Sequence, residues 1–190
     1  MDLELSPALA PGVGPPQRIE LEGLLLRRWQ PEDLTARVEA LTESYEHIHP
    51  WMEWLAEPPT VAKQREFDET VAQGWPTHDR AFNYGIFDGD GTLLGAIGLH
   101  DCLGPPALEI GYWCHVKHTG RGVVTRSAGE LTRIALALPG IESVEIHCDE
   151  ANVRSAAVAR RLGYRLDRIE PRVQSAPAES GRGMFWVKER

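Results

Sequence analysis

The sequence has few cysteines, and their spacing fits neither a disulfide framework nor a zinc site. The three residues Cys102, Cys114 and Cys148 lie far apart, a usage typical of proteins kept reduced in the cytoplasm. No apolar run is long enough to span a bilayer. The acidic start "MDLELSPALAPGVGPPQ" lacks the basic residues and apolar centre of a signal peptide. We therefore expect a cytoplasmic protein that does not associate with a membrane.

Positive charge is also scarce. The chain has 20 Lys and Arg residues against 28 Asp and Glu residues, which gives a net charge of −8. Sequence-independent binding of nucleic acid needs a basic surface, so we expect no nucleic-acid partner. A local basic pocket for a small polyanion is still compatible with this balance, and an acidic protein suits a cationic amine as its ligand.

Length and patterning predict one α/β domain. A chain of 190 residues suits a single core, and the prolines and glycines of residues 1–17 predict a flexible tail before a domain over 18–190. Alternation predicts strands in "RIELEGLLLRRW", on both sides of "DGDG", and in "ALEIGYWCHV", "VEIHCD", "YRLDRIEPRV" and "GMFWVKE". Helical spacing predicts one helix in "QPEDLTARVEALTESYEHI", one over Val61–Gln73 ended by "GWP", and helices after Gly122 and Asn152.

Two glycines, Gly120 and Gly122, stand between a predicted strand and a predicted helix in "HVKHTGRGVVTRSAGEL". The first turn of a helix exposes N–H groups, and the helix dipole adds a partial positive charge there. Glycine lets an anion approach the backbone closely, and Lys117, His118 and Arg121 add charge or donors. The pattern predicts a pyrophosphate site, although a plain connector would explain the glycines taken alone. The spacing is that of neither a P-loop nor a G-x-G-x-x-G turn.

The run "EIGYWCHVKHTGRGVVTRSAGEL" followed by "IHCDEANVRSAAVARRLGYRLD" resembles the GNAT superfamily of acyl-CoA N-acyltransferases, and in particular its RimJ/RimL-like branch. Residues 117–122 match the family's turn (Gln/Arg)-x-x-Gly-x-(Gly/Ala), with lysine in place of the usual first residue. Asn152, Ser155, Gly163 and Tyr164 fall on the positions of the family's second cofactor motif. In the family that tyrosine usually packs in the core near the cofactor helix.

The resemblance implies a mixed, mostly antiparallel central sheet with a splayed pair of strands and flanking helices. It implies an N-acetyltransferase that uses acetyl-CoA, or another short acyl-CoA, and no metal. The acceptor would be a primary amine of a protein N-terminus, a peptide or a small molecule, and a homodimer would be compatible with the family. Two alternatives stay open at this point: a non-catalytic acyl-CoA-binding or regulatory module, and a nucleotide-binding protein with another chemistry.

The resemblance also implies where the cofactor would bind. Pantetheine would enter the gap beside the strand that precedes the turn, and backbone N–H groups over 113–116 would polarise the thioester carbonyl. Arg160 or Arg161 would meet the phosphates, or both would be solvated on the helix surface. The cofactor-binding residues expected are Trp113, Cys114, His115, Val116, Lys117, His118, Thr119, Gly120, Arg121, Gly122, Val123, Val124, Thr125, Asn152, Ser155 and Arg160.

Acyl transfer to an amine needs a base, because an alkyl amine with a pKa of about 10.4 is mostly protonated at neutral pH. Glu109, on the strand before the glycine turn, is the leading candidate, although a solvated or salt-bridged strand glutamate is an equally good explanation. His100, Glu145 and His147 are the other candidates. Ser155 would give a proton to the departing sulfur, or would serve only the first turn of its helix.

The acceptor side is predicted in "SYEHIHPWMEWLAEP". The resemblance implies that Trp51, Glu53 and Trp54 line the acceptor cleft, whereas indoles packed beneath a helix would explain the tryptophans too. His47 and His49 are two residues apart, but no third ligand is evident, so we expect no metal site.

Overall fold

The computed structural model describes residues 5–77 and 81–190, and within them a single sheet carries helices on both faces. The strands are β1 (Arg18–Leu21), β2 (Leu24–Arg28), β3 (Ala81–Phe87), β4 (Leu93–His100), β5 (Ala107–Cys114), β6 (Ser143–Asp149), β7 (Arg165–Pro171) and β8 (Arg182–Glu189). The helices are α1 (Leu34–Glu43), α2 (Tyr45–Ile48), α3 (Val61–Thr77), α4 (Val123–Ala137) and α5 (Val153–Arg161). Short 3-10 turns span Pro31–Asp33, Glu53–Leu55 and Val116–His118.

The strand order is β1-β2-β3-β4-β5-β6-β8-β7, and every pairing is antiparallel except that of β5 with β6. This parallel pair is joined over three positions, the last being Glu109 opposite Glu145. Beyond it β5 continues to Cys114 and β6 to Asp149 without pairing to each other. The predicted mixed sheet with a splayed pair of strands is confirmed.

The main core lies between the sheet and helices α4 and α5. Because side chains alternate along a strand, Leu108 and Ile110 of β5 and Val144 of β6 point to this face and are buried. Leu131 and Ala135 of α4 pack against them at the predicted helical spacing. The core also contains Tyr164, whose hydroxyl lies 2.6 Å from Oγ1 of Thr132.

Helices α1 to α3 flank the opposite face, and two of the predicted helix boundaries were wrong. The first helix was predicted as one segment, but it breaks at Ser44, whose hydroxyl accepts a hydrogen bond from the N–H of Val116. Helix α3 does not end before Gly74 but runs on to Thr77, because one interior glycine costs a helix only about 1 kcal/mol. Among the described residues, none of the helices combines the length and apolar character that crossing a bilayer requires.

The segment before β1 was predicted to be a flexible tail. Its described part contacts the domain: Leu9 is buried, and the N–H groups of Ala8 and Leu9 donate to the carboxylate of Asp101 at 2.7 and 3.0 Å. The hydroxyl of Tyr84 donates to the carbonyl of Pro16 at 2.8 Å. These contacts bind part of the segment to the sheet, while the domain boundary at residue 18 stays a prediction.

Candidate active site

The glycine turn joins the splayed end of β5 to helix α4. Gly120 and Gly122 both have positive φ angles, 74° and 72°, which L side chains rarely adopt, and Gly122 directly precedes the helix. A Cβ built on either glycine would meet no atom within 4 Å, so both face open space. The N–H groups of the first turn of α4 are therefore reachable by a ligand, since that turn lacks intrahelical partners for them.

A groove of about 780 Å³ runs along this turn, between the end of β5, the start of α4 and helix α5. We call it the glycine groove. It brings together most of the residues predicted to bind the cofactor, namely Trp113, Cys114, His118, Thr119, Gly120, Gly122, Val123, Val124, Thr125, Asn152 and Ser155.

Three predicted residues of the turn face helix α1 instead of the groove. Nζ of Lys117 lies 2.6 Å from Oε2 of Glu43, and Nε2 of His115 lies 3.2 Å from the same oxygen. His115 is buried, which lowers its pKa, and the nearby His118 and Lys117 lower it further against the opposing effect of Glu43. Val116 donates its N–H to the hydroxyl of Ser44. These contacts fix the turn to the body of the protein.

Of the two arginines predicted on α5, Arg161 lines the groove and Arg160 does not. The guanidinium of Arg160 lies 5.2 Å from the ring centroid of Trp186, and Arg121 also lies outside the lining. Arg154 and Arg161 line the groove from α5, and Arg126 lines it from α4. Residues seven apart share one face of a helix, so this spacing in the sequence was the signal that would have selected Arg161 over Arg160.

A pair of hydroxyl groups lies where the strands diverge. The side-chain oxygen of Asn152 caps α5 by accepting the N–H of Ser155 at 3.1 Å. The hydroxyl of Ser155 lies 2.9 Å from that of Tyr112 on β5. Burial raises the pKa of Tyr112, and the bond to Ser155 offsets only part of the rise. Strand alternation puts Tyr112 on the same face of β5 as the buried Leu108 and Ile110, so its position in the sequence did not mark it as a site residue.

A second cavity, of about 660 Å³, opens on the sheet face that carries α1 to α3. Trp51, Glu53 and Trp54 line it as predicted for the acceptor cleft. Trp54 is 55% exposed, so it is not an indole buried beneath a helix. The N–H of Ala178 donates to the carbonyl of Pro50, which brings the loop between β7 and β8 to this rim. We call this space the face cavity.

The two spaces adjoin at the divergence of β5 and β6. Six residues line both of them: Trp51, Met52, Tyr112, Trp113, Asn152 and Ser155. A molecule in the glycine groove and a molecule in the face cavity would therefore meet beside the hydroxyl pair of Ser155 and Tyr112.

The candidate bases form one cluster beside the face cavity. Oε2 of Glu109 lies 3.6 Å from Nδ1 of His147, whose other ring nitrogen lies 2.6 Å from Oε2 of Glu145. Cys102 donates its thiol to Glu109 at 3.5 Å, and burial together with that carboxylate raises the pKa of the thiol to about 12. Burial lowers the pKa of His100, against the opposing charge of Glu109.

Among these groups, Glu109, His100 and His147 line the cavity, whereas Glu145 does not and instead contacts His147. Glu109 is four residues before Trp113 on β5, which places the two residues about 13 Å apart along the strand. A proton from an amine beside Trp113 would have to cross that distance through water.

The two histidines of the acceptor segment lie in different surroundings. His47 lines the glycine groove, and burial and the charge of Arg154 lower its pKa. His49 stacks on Tyr45 with ring centroids 4.5 Å apart. Within residues 5–77 and 81–190, no group of three or more His, Cys, Asp or Glu side chains has the arrangement of a metal site.

Comparison with known proteins gives a family match over most of the chain. A family model described as the acetyltransferase (GNAT) domain matches residues 23–165. A protein of Bacillus subtilis (strain 168) named "Putative ribosomal N-acetyltransferase YdaF" is 30% identical over 148 residues, which are 75% of this chain and 78% of that protein.

Solved structures share the fold at lower identity. RimL, a ribosomal L7/L12 alpha-N-protein acetyltransferase in complex with coenzyme A, has a TM-score of 0.80 at 18% identity and covers 90% of this chain and 97% of its own. RimJ of Mycobacterium smegmatis, in complex with CoA-disulfide, has a TM-score of 0.78 at 20% identity, covering 95% and 90%. The microcin C7 self-immunity acetyltransferase MccE, with acetyl-CoA and AMP, has a TM-score of 0.82 at 17% identity and covers both chains fully.

Proposed function

Because this chain belongs to the GNAT acetyltransferase family, we propose that it transfers the acetyl group of acetyl-CoA to a primary amine by direct attack on the thioester. The observation that carries the proposal is the divergence of β5 and β6 beyond Glu109, beside which the glycine groove and the face cavity adjoin. A pantetheine arm in that gap would present the thioester to an amine in the face cavity.

The glycine groove fits CoA chemically. Its open glycines and the first turn of α4 offer backbone N–H groups to a pyrophosphate. Arg126, Arg154 and Arg161 line the same groove and would pair with phosphates. In the described part of the chain, Arg154 and Arg161 form no ion pair with a carboxylate, so their charge is free for a ligand.

The residues around the gap would supply the chemistry. Backbone N–H groups at the unpaired end of β5 would polarise the thioester carbonyl. Ser155, hydrogen-bonded to Tyr112, would give a proton to the departing sulfur, and the high pKa of the buried tyrosine keeps its own proton in place at neutral pH. Glu109 would take the proton of the amine through water, with His147 and His100 beside it.

The acceptor proposed is an α-amine at a protein N-terminus. The support is the family and the names of its relatives, which include ribosomal-protein acetyltransferases. A small-molecule amine is the alternative acceptor. We further propose a single domain over 18–190, a cytoplasmic location, no nucleic-acid partner and a homodimer, the last to be checked by sedimentation.

Release of free thiol from acetyl-CoA, followed across a panel of amines and peptides, tests the activity. Wild-type protein should release thiol only with an acceptor present, and Glu109→Gln and Ser155→Ala should slow the release while CoA still binds. If neither change slows transfer, the assignment of these two residues fails. If CoA binds and no amine is acetylated, the protein is a binding module. A rise in melting temperature with ATP and none with CoA would contradict the proposed cofactor.

A further inference from the structure

A short 3-10 turn, Val116–His118, separates β5 from the glycine turn, and His115 is its N-cap. Two successive N–H groups at its start are accepted by side chains. Val116 donates to the hydroxyl of Ser44 at 3.0 Å, and Lys117 donates to Nδ1 of His115 at 3.1 Å. The N–H groups that open a helical turn have no backbone acceptors within it. These two side chains therefore set where the turn begins.

The ring of His115 is held from both sides. The residue is 6% exposed, and its Nε2 lies 3.2 Å from Oε2 of Glu43 on α1. Because Nδ1 accepts a backbone hydrogen bond, it carries no proton, and Nε2 carries the hydrogen that points to Glu43. Burial lowers the pKa of His115, and the charges of His118 and Lys117 lower it further against the effect of Glu43. The neutral ring that this arrangement needs is thus the form favoured at neutral pH.

The glycine turn does not define its own position. Gly120 and Gly122 have positive φ angles of 74° and 72°, and glycine leaves such values at little cost. Helix α4 fixes the end at Gly122. The 3-10 turn fixes the other end, where the hydroxyl of Thr119 donates to the carbonyl of Val116 at 3.1 Å. The path of the glycine turn therefore depends on how firmly the 3-10 turn is held.

Loss of the acceptor on His115 would disturb this path. A half-buried N–H group without an acceptor is costly, so the 3-10 turn would shift to conformations in which water reaches the N–H of Lys117. The apparent dissociation constant of a ligand rises as the population of the competent conformation falls. The side chain can thus control the affinity of the glycine groove without contacting the ligand.

We propose that His115 is a positioning residue of the CoA site: its Nδ1 holds the N–H of Lys117 and thereby keeps the glycine turn in the conformation that receives the pyrophosphate. His115 lies outside the groove lining, so it acts through the turn. The inference rests on the proposed use of CoA and gives a role to a residue that precedes the family's turn motif.

Three substitutions of His115 separate the roles of its two nitrogens and of its volume. In His115→Asn the side-chain oxygen takes the place of Nδ1 and can accept the same N–H, as asparagine does in turns. His115→Gln brings its amide to the place of Nε2 and so keeps the contact with Glu43 alone. His115→Leu has the shape of asparagine and no acceptor. Isothermal titration measures the affinity for CoA, and thermal unfolding measures the stability.

His115→Asn should bind CoA within about threefold of the wild type, whereas His115→Gln and His115→Leu should bind it at least about fivefold more weakly. A residue that only fills space predicts the opposite order for Asn and Gln, because glutamine is nearer to histidine in volume. Asp88→Leu is the matched control. Oδ1 of Asp88 also accepts the N–H two residues on, that of Asp90, in a turn that lines neither cavity. This variant should keep the wild-type affinity for CoA.

Equal affinities of His115→Asn and His115→Leu for CoA overturn the inference, and so does weaker binding by His115→Asn than by His115→Gln. The ¹⁵N resonances of the ring in the wild-type protein give a test that needs no variant. At neutral pH Nδ1 should be the unprotonated nitrogen, and a proton on Nδ1 overturns the inference even if the variants fail to fold. A wild-type protein that does not bind CoA refutes the proposed function itself, and the inference falls with it.

Discussion

Substitution of Gly122 by valine should abolish CoA binding, and the structure separates this effect from a loss of stability. The φ angle of 72° is one that a residue with a side chain adopts at a cost of about 1–2 kcal/mol. A Cβ at this position meets no protein atom within 4 Å, so the fold has room for the new side chain. The side chain would instead occupy the space through which an anion reaches the helix.

The expected loss follows from the hydrogen bonds that an anion would make there. Two bonds from backbone N–H groups to a charged phosphate contribute about 1.5–3 kcal/mol each. Their loss raises the dissociation constant for CoA by at least about 100-fold. Isothermal titration of CoA into the folded variant measures this change directly.

Gly91 provides a matched control in the turn between β3 and β4. Its φ angle is 83°, and a Cβ there also meets nothing within 4 Å, but it does not line the groove. Gly91→Val should therefore lose similar stability and keep its affinity for CoA.

Lys117→Ala tests the first position of the turn motif, where the chain departs from the family pattern. Because its amine pairs with Glu43 and the residue lies outside the groove lining, the affinity should fall by less than about fivefold. If Gly122→Val and Lys117→Ala lost equal affinity for CoA, the reasoning would be refuted. The same holds if Gly122→Val and Gly91→Val lost equal affinity for CoA.

Three further outcomes concern the chemistry and the stability. Glu109→Gln should lower the rate of acetyl transfer at pH 7 by about 100-fold or more with unchanged CoA affinity; an unchanged pH–rate profile would remove Glu109 as the base. Ser155→Ala should lower kcat more than Tyr112→Phe does, because the serine is the proposed proton donor and the tyrosine only its hydrogen-bond partner; the reverse order would make Tyr112 the proton donor. Burial lowers the pKa of His100 in the folded protein. At pH values below about 6.5 the unfolded chain therefore binds more protons than the folded protein does. The free energy of unfolding, from urea titrations, should therefore decrease in that range, and the decrease should be smaller in His100→Gln; an identical pH dependence in both proteins would contradict this.

The parts of the site that the sequence predicted are those encoded by short patterns. The glycines before α4 and the Asn152 cap of α5 specify backbone geometry locally, so their places followed from the motifs. Alternation along the predicted strand "ALEIGYWCHV" likewise gives Glu109 the opposite face from Leu108 and Ile110, which are buried in β5. In each case the residues that decide the structure are neighbours in the chain.

What the sequence did not reveal depends on contacts between distant segments. The break between α1 and α2 occurs at Ser44, whose partner Val116 is 72 residues away. The pairing of Lys117 and His115 with Glu43 also joins distant segments. The residues next to them in the sequence gave no indication of this carboxylate. The burial of Arg37 was not predicted either: this residue of α1 is 2% exposed and pairs with Asp68 of α3, whereas a helical arginine is ordinarily solvated.

The meeting of the glycine groove and the face cavity has a kinetic consequence. Each space has its own lining, and the six shared residues lie at their junction. With CoA in one space and the amine in the other, as proposed, neither reactant would need to leave before the other enters. The proposed transfer would then follow a sequential mechanism with a ternary complex, in which neither product has to leave through the space that the other occupies.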